Sequence, residues 1–252
     1  MTSFFIKLTA ALAMTVDHTA ASIGQLRLFP TLPLHTSYRL MNLMHGFGRL
    51  AFPLYAFLLA EGARKTRSMP RYIGRLFLFA VISEPFFYCA LGLETPTIAG
   101  FWENVMGLNF GNVFFTLTIA ACALYIYQIL ERKKVRNPKR AFLPVFLIAA
   151  FLSQYIGSDY GAWGVALIIA LYFAETKPQK CAVLGVWSVL LYAAVWGAAG
   201  GWGDVAVNCL FAASSCLLVW KYNGKRGKSC KWWFYAYYPA HLLLLALLKF
   251  AI

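Results

Sequence analysis

A bundle of membrane-spanning α-helices is the all-α fold the sequence predicts, and three observations predict it. Of the 252 residues, 61% are hydrophobic and 13% charged, against roughly 25% charged in a soluble domain. The apolar residues come in long runs, not in the broken stripes of a soluble core. Between the runs, lysine and arginine gather in short segments that alternate with segments nearly free of them, as in multi-pass membrane proteins. An ordinary water-soluble enzyme is excluded.

A hydrocarbon core about 30 Å thick takes about 20 helical residues per crossing, so the chain supplies about nine transmembrane helices. They are predicted at 5–25, 42–63, 76–92, 109–130, 141–157, 161–174, 181–199, 204–220 and 232–250. The first apolar run, Phe4–Ile23, carries Asp17 and His18 where a cleaved signal peptide would be uninterrupted, and it reads as a retained helix. Arg64–Arg75, Glu131–Arg140, Glu175–Lys180 and Lys221–Lys231 hold most of the basic residues. The positive-inside rule makes these loops cytoplasmic, with the amino terminus inside and the carboxyl terminus outside. Leu26–Met41, with Pro30 and Pro33, and Leu93–Leu108, with Glu94 and Glu103, are expected to be connecting loops or an extracytoplasmic lid. No internal repeat interrupts the pattern, so residues 1–252 are expected to form one membrane domain.

The formal net charge of +14 lies in topology-setting loops, and no nucleic-acid partner is needed to explain it. None of the six cysteines stands in a CxxC or CxxH pair, so neither a disulfide framework nor a metal site is expected.

Ionisable side chains inside a bilayer are costly and face a cavity or a partner. Counting along each predicted helix puts His18, Glu84 and His241 in one layer, roughly 13–16 Å from the cytoplasmic edge. Arg49 lies nearer the outside, with Lys7 and Glu61 near the cytoplasmic boundary. His18 reads either as a structural histidine bonded to another helix or as a general base or proton relay, since imidazole titrates near neutrality. Asp17 is adjacent and points about 100° away, so Glu84 is the better candidate partner; Glu84 also reads as one half of an ion pair with Arg49 or Arg75. Arg64-Lys65-Thr66-Arg67 with Arg71 and Arg75, and the segment Tyr222–Gly227 with Asn223, Lys225 and Arg226, suit an anionic ligand, although topology alone also demands basic loops here. Trp232, Trp233, Tyr235, Tyr237 and Tyr238 read first as an interfacial aromatic belt.

An ordered set of segments resembles the TraX family: Met14-Thr15-Val16-Asp17-His18, Gly48-Arg49-Leu50-Ala51-Phe52-Pro53 through Glu61-Gly62 and Lys65-Thr66, Arg75-Leu76, and Ser83-Glu84-Pro85-Phe86. It continues through Asn112–Leu117, Tyr160–Val165, Tyr222–Gly227 and Phe234–Leu242. TraX is named for a conjugation-plasmid protein implicated in amino-terminal acetylation of pilin. The family is similar in turn to the transmembrane acyltransferases, whose acyltransferase-three members carry a basic residue ahead of a first-helix histidine with the spacing of Lys7 and His18.

The resemblance implies a multi-pass protein of the bacterial cytoplasmic (inner) membrane that transfers an acetyl group from cytoplasmic acetyl-CoA. The implied acceptor is a peptide or pilin amine, with a lipid or glycan as the alternative. In that reading His18, Asp17, Glu84 and Arg49 carry the chemistry, His18 deprotonating the acceptor or becoming acylated itself, and Arg49 facing the developing oxyanion. Lys7, Arg64, Lys65, Arg71, Arg75, Asn223, Lys225 and Arg226 would meet the donor, and Asn112, Tyr160, Tyr238 and His241 would line the acceptor side. No metal takes part. A proton-coupled transporter using the same polar layer, and a non-enzymatic assembly factor for pili, are the competing classes.

Overall fold

The computed structural model describes residues 1–24, 28–92, 96–193 and 202–251. Among these residues the regular structure is all helical, with eleven α-helices joined by turns and short irregular segments. Five helical stretches are long and apolar enough to cross a bilayer: Leu34–Lys65, Met69–Leu91, Val113–Arg132, Gly203–Trp220 and Trp232–Ala251. The protein is therefore a multi-pass membrane protein whose outer side chains meet lipid. Fewer stretches than the predicted nine meet that measure, because the remaining helices are short, as Gly161–Phe173 is, or interrupted by polar residues.

The chain forms two compact units, one of residues Met1–Leu58 with Ala174–Ile252 and one of Leu59–Phe173. The first holds α1 (Ser3–Ile23), α2 (Leu34–Gly48), the whole of α9 to α11 (Lys177–Leu191, Trp202–Trp220 and Lys231–Ala251) and the start of α3 (Ala51–Lys65). Within it α1 packs on both α2 and α11, α2 packs on α10, and α10 packs on α9. The second unit holds the end of α3, α4 (Met69–Leu91), α5 (Ile98–Met106), α6 (Val113–Arg132), α7 (Pro138–Tyr155) and α8 (Gly161–Phe173). There α6 is central and packs on α4, α7 and α8.

Local chemistry sets the helix ends where hydropathy did not. Expected to start at 76, α4 begins at Met69 because Ser68 accepts from Arg71 N and Pro70 lies in the first turn. A capping box between Thr176 and Gln179 starts α9 four residues before the expected 181. The loop expected at Leu26–Met41 contains the first half of α2, which follows Pro33. The loop expected at Leu93–Leu108 contains α5, capped by Thr97. The expected single helix 42–63 is broken at Arg49-Leu50, between α2 and α3. Glu94 and the expected helix end at 199 lie outside the described residues.

The amino terminus is clasped by the basic segment before α11. The Met1 ammonium donates to Lys221 O at 2.6 Å, and Asn223 N donates to Met1 O at 2.9 Å. Ser3 N and Phe4 N, orphan donors at the start of α1, are accepted by Lys225 O and Arg226 O at 2.9 and 3.1 Å. Gly227 makes this approach possible: its φ is +74°, and a Cβ there would stand 2.4 Å from Thr2 Oγ1. The clasp puts the amino terminus and the Lys221–Lys231 segment on one face of the membrane, as the charge pattern requires.

With the other cysteines removed, native Cys230 and an introduced Thr2→Cys should react with a membrane-impermeant maleimide from the same side of sealed vesicles. Labelling from opposite sides would be incompatible with the clasp.

Candidate functional site

On α1, Asp17 and His18 are neighbours, and a helical step of about 100° sends them to different partners. Asp17 faces α2. Its Oδ1 lies 2.6 Å from His45 Nδ1, and its Oδ2 lies 4.0 Å from Arg49 Nη1. A carboxylate only accepts, so His45 Nδ1 carries the proton and, in the neutral ring, Nε2 presents the lone pair. This close seating needs Gly48, where a Cβ would stand 2.2 Å from Asp17 Cβ. Gly46 does the same toward α10, where a Cβ would meet Val207 Cγ1 at 2.9 Å. Small residues at both contacts let the backbones approach, as they do between membrane helices.

A polar chain continues from α2 to α10. Arg49 Nε donates to Asn208 Oδ1 at 3.3 Å, Asn208 Nδ2 to Asp204 O at 2.8 Å, and Asn42 Nδ2 to Asp204 Oδ1 at 3.2 Å. These side chains border a cavity of about 780 Å³, whose wall includes Arg39, Asn42, His45, Arg49, Asp204 and Asn208. The His45, Asp17 and Arg49 side chains are 31%, 20% and 17% exposed, open enough to be reached and enclosed enough to be held. An imidazole fixed by a carboxylate, with a guanidinium in the same wall, can take a proton and face a developing negative charge.

His18 faces α11. Its Nδ1 lies 2.8 Å from His241 Nε2, with the rings stacked 5.1 Å apart and 13° from parallel. His241 Nδ1 lies 3.0 Å from Tyr237 O. A carbonyl only accepts, so this nitrogen bears hydrogen, neutral His241 accepts at Nε2, and His18 donates from Nδ1. The same seam holds Thr15 Oγ1 against Tyr237 OH at 2.6 Å and Lys7 Nζ over the Phe234 ring at 5.6 Å. Tyr238 packs edge-on to His18, with ring centroids 6.1 Å apart. Among the described residues, no three His, Cys, Asp or Glu side chains converge as a metal-ligand set.

Glu84 and Asn112 form a separate assembly in the second unit. Glu84 Oε1 accepts from Gly111 N at 2.9 Å, and Oε2 accepts from Asn112 Nδ2 at 2.5 Å and Asn112 N at 3.4 Å. Asn112 Oδ1 in turn caps α6 through Phe114 N at 3.0 Å. Glu84 therefore finds its partners at the start of α6, where a negative charge also complements the helix dipole. Tyr160, at the entry to α8, has the left-handed φ of 62°.

The basic residues divide by what they touch. Arg64 ties the end of α8, donating to Leu171 O at 3.2 Å and to Tyr172 O, and it pairs with Glu61 at 3.1 Å. Lys65 pairs with the same carboxylate at 3.0 Å. Arg71 is exposed, and Arg75 lies over the Tyr72 ring at 5.8 Å with its Nε buried and without a hydrogen-bond partner. In the amino-terminal clasp Asn223 Oδ1 accepts from Lys225 N at 3.1 Å, while Lys225 and Arg226 are exposed.

A family model described as TraX protein matches residues 3–249. The chain belongs to the TraX family. It is also 30% identical over 256 residues to the probable fimbrial assembly protein FimC, serogroup H1, of Dichelobacter nodosus, covering 98% of this chain and 95% of that one. No solved structure matches. Sequence reasoning missed Asn42, His45, Asp204 and Asn208. The available signal was their register: Asn42, His45 and Arg49 fall on one helical stripe, and Asp204 and Asn208 are one turn apart in an otherwise apolar helix.

Glu84→Gln replaces one acceptor oxygen with an NH2 facing N–H donors, and should cost about 1–3 kcal/mol of stability. Gly48→Ala should cost a similar amount, about 1–3 kcal/mol, through overpacking against Asp17. Thermal unfolding in detergent checks both; an unchanged Tm for either variant would contradict the contact concerned.

Proposed function

We propose that the protein is a membrane-embedded acyltransferase of the acyltransferase-three type, moving an acetyl group from acetyl-CoA to the amine of a pilus-related peptide. In this reading it sits in the bacterial inner membrane with its amino terminus in the cytoplasm. The observation that carries the proposal is the cavity whose wall joins His45, hydrogen-bonded to Asp17, with Arg49. The name of the fimbrial assembly relative supports the pilus context.

A thioester is already activated, so the work left is positioning, proton removal and oxyanion stabilisation. The amine nitrogen attacks the thioester carbonyl carbon, and its proton passes to His45 Nε2. Asp17 stabilises the resulting imidazolium, and Arg49 faces the oxyanion. Collapse breaks the carbon–sulfur bond, and the CoA thiolate leaves with the proton from His45. His18, which is outside the cavity lining and has an imidazole where His45 has a carboxylate as its Nδ1 partner, ranks behind His45 as the base. Lys225 and Arg226, exposed in the unit that holds the cavity, are candidate groups for the donor's phosphates, whereas Arg64 and Lys65 already share Glu61.

A non-enzymatic assembly role is the second reading, favoured by the same relative's name. The two readings part on His45→Ala. The purified variant should bind CoA in isothermal titration as the wild type does while transferring labelled acetyl about 10²–10⁴-fold more slowly, with a smaller loss in His18→Ala. Cells carrying His45→Ala that still build normally acetylated pili would overturn the transferase.

A further inference from the structure

The cavity wall holds a carboxylate that the acetyl-transfer chemistry does not use. Asp204 stands in the first turn of α10, and it has no ion-pair partner among the described residues. Its Oδ1 accepts from Asn42 Nδ2 at 3.2 Å, and Asn42 lies one turn before His45 on α2, so both project from one helical face. Asn208, one turn after Asp204, receives Arg49 Nε at 3.3 Å and itself donates to Asp204 O at 2.8 Å. Asp204 is thereby linked, by its side chain through Asn42 and by its backbone carbonyl through Asn208, to the one stripe of α2 that carries His45 and Arg49. Leu43, Val205 and Val207 supply apolar wall beside it, which strengthens any charge pairing made there.

We propose that Asp204 is the subsite for the acceptor's ammonium, holding a peptidyl primary amine in the cavity until it releases one proton to solvent and attacks as the free amine, its second proton passing to His45; this rests on the acyl-transfer reading above. A free α-amine has a reference pKa of about 7.7–8.0 and arrives largely as ammonium. A carboxylate that makes no ion pair among the described residues attracts that form more strongly than a hydroxyl acceptor of the same shape, with Arg39 and Arg49 elsewhere in the wall. Position adds a direction. The far end of α10 leads into the clasped Lys221–Lys231 segment, and about 1.5 Å per residue puts Asp204 about 25 Å along the helix from it. The amine therefore enters from the membrane face opposite the basic clasp.

A helix-stabilising role for a first-turn acid would affect only folding, so the test uses a readout that such a role does not move. The full-length protein in nanodiscs is given labelled acetyl-CoA with alanyl-alanine amide or its lactyl analogue, in which a hydroxyl replaces the amine. Asp204→Asn should raise KM for the amine about tenfold or more, leave kcat close to wild type, and leave the weak hydroxyl reaction unchanged. An unaltered KM, or equal changes for both acceptors, overturns the subsite. If wild type transfers acetyl to neither compound, the acyl-transfer reading fails on its own. Isothermal titration of the amide then decides the subsite: binding by wild type that Asp204→Asn loses supports it, and equal binding or none by wild type overturns it.

Discussion

Two adjacent polar residues on α1 must each find a partner, because a polar side chain held away from water without a hydrogen bond costs about 1–3 kcal/mol or more. Helical rotation sends Asp17 to α2 and His18 to α11. Each contact ties α1 to a different neighbour, and the glycines at 46 and 48 let α2 come close enough to α1 and α10 to complete the set. Replacing either polar residue would remove one contact and also leave its partner unsatisfied. The first unit is thus organised around what α1 cannot leave exposed.

The same accounting explains why the membrane architecture was legible in the sequence while the site was only partly so. Apolar run length and loop charge are properties of single segments, and they identify spanning helices without reference to neighbours. Helix ends depend on one or two residues, such as Ser68 or Thr176, whose caps outweigh hydropathy and moved α4 and α9 toward the amino terminus. The partner of a buried group is a property of packing. Depth marked His18, Glu84 and His241 as residues needing partners, but counting along a helix cannot choose among neighbours. A helix expected to begin only at 42 leaves His45 in its first turn; the observed start of α2 at Leu34 gives His45 a full helical face.

Charge is used twice in this chain, and contacts separate the uses. Glu61 gathers Arg64 and Lys65, and Arg64 also finishes α8 by meeting its last carbonyls, as a cation at a helix carboxyl terminus should. These residues serve topology and structure together. The backbone of the Tyr222–Gly227 segment is spent on the first N–H groups of α1, so a ligand there meets side chains, not the helix amino terminus.

Glu84 shows how a buried acid need not be a functional one. Its two oxygens receive Gly111 N, Asn112 N and Asn112 Nδ2, while Asn112 also fastens α6 through Phe114 N. The acid's acceptor capacity is largely consumed by the helix start it organises. Asp17 differs because the imidazole it holds opens onto a cavity, and Asp204 differs because it meets the same cavity without an ion pair among the described residues. Glu84 is buried while Asp17 and Asp204 are half-buried, but burial alone does not say what an acid does. The distinction lies in whether the hydrogen bonds close on the protein itself or leave a nitrogen or an oxygen facing open space.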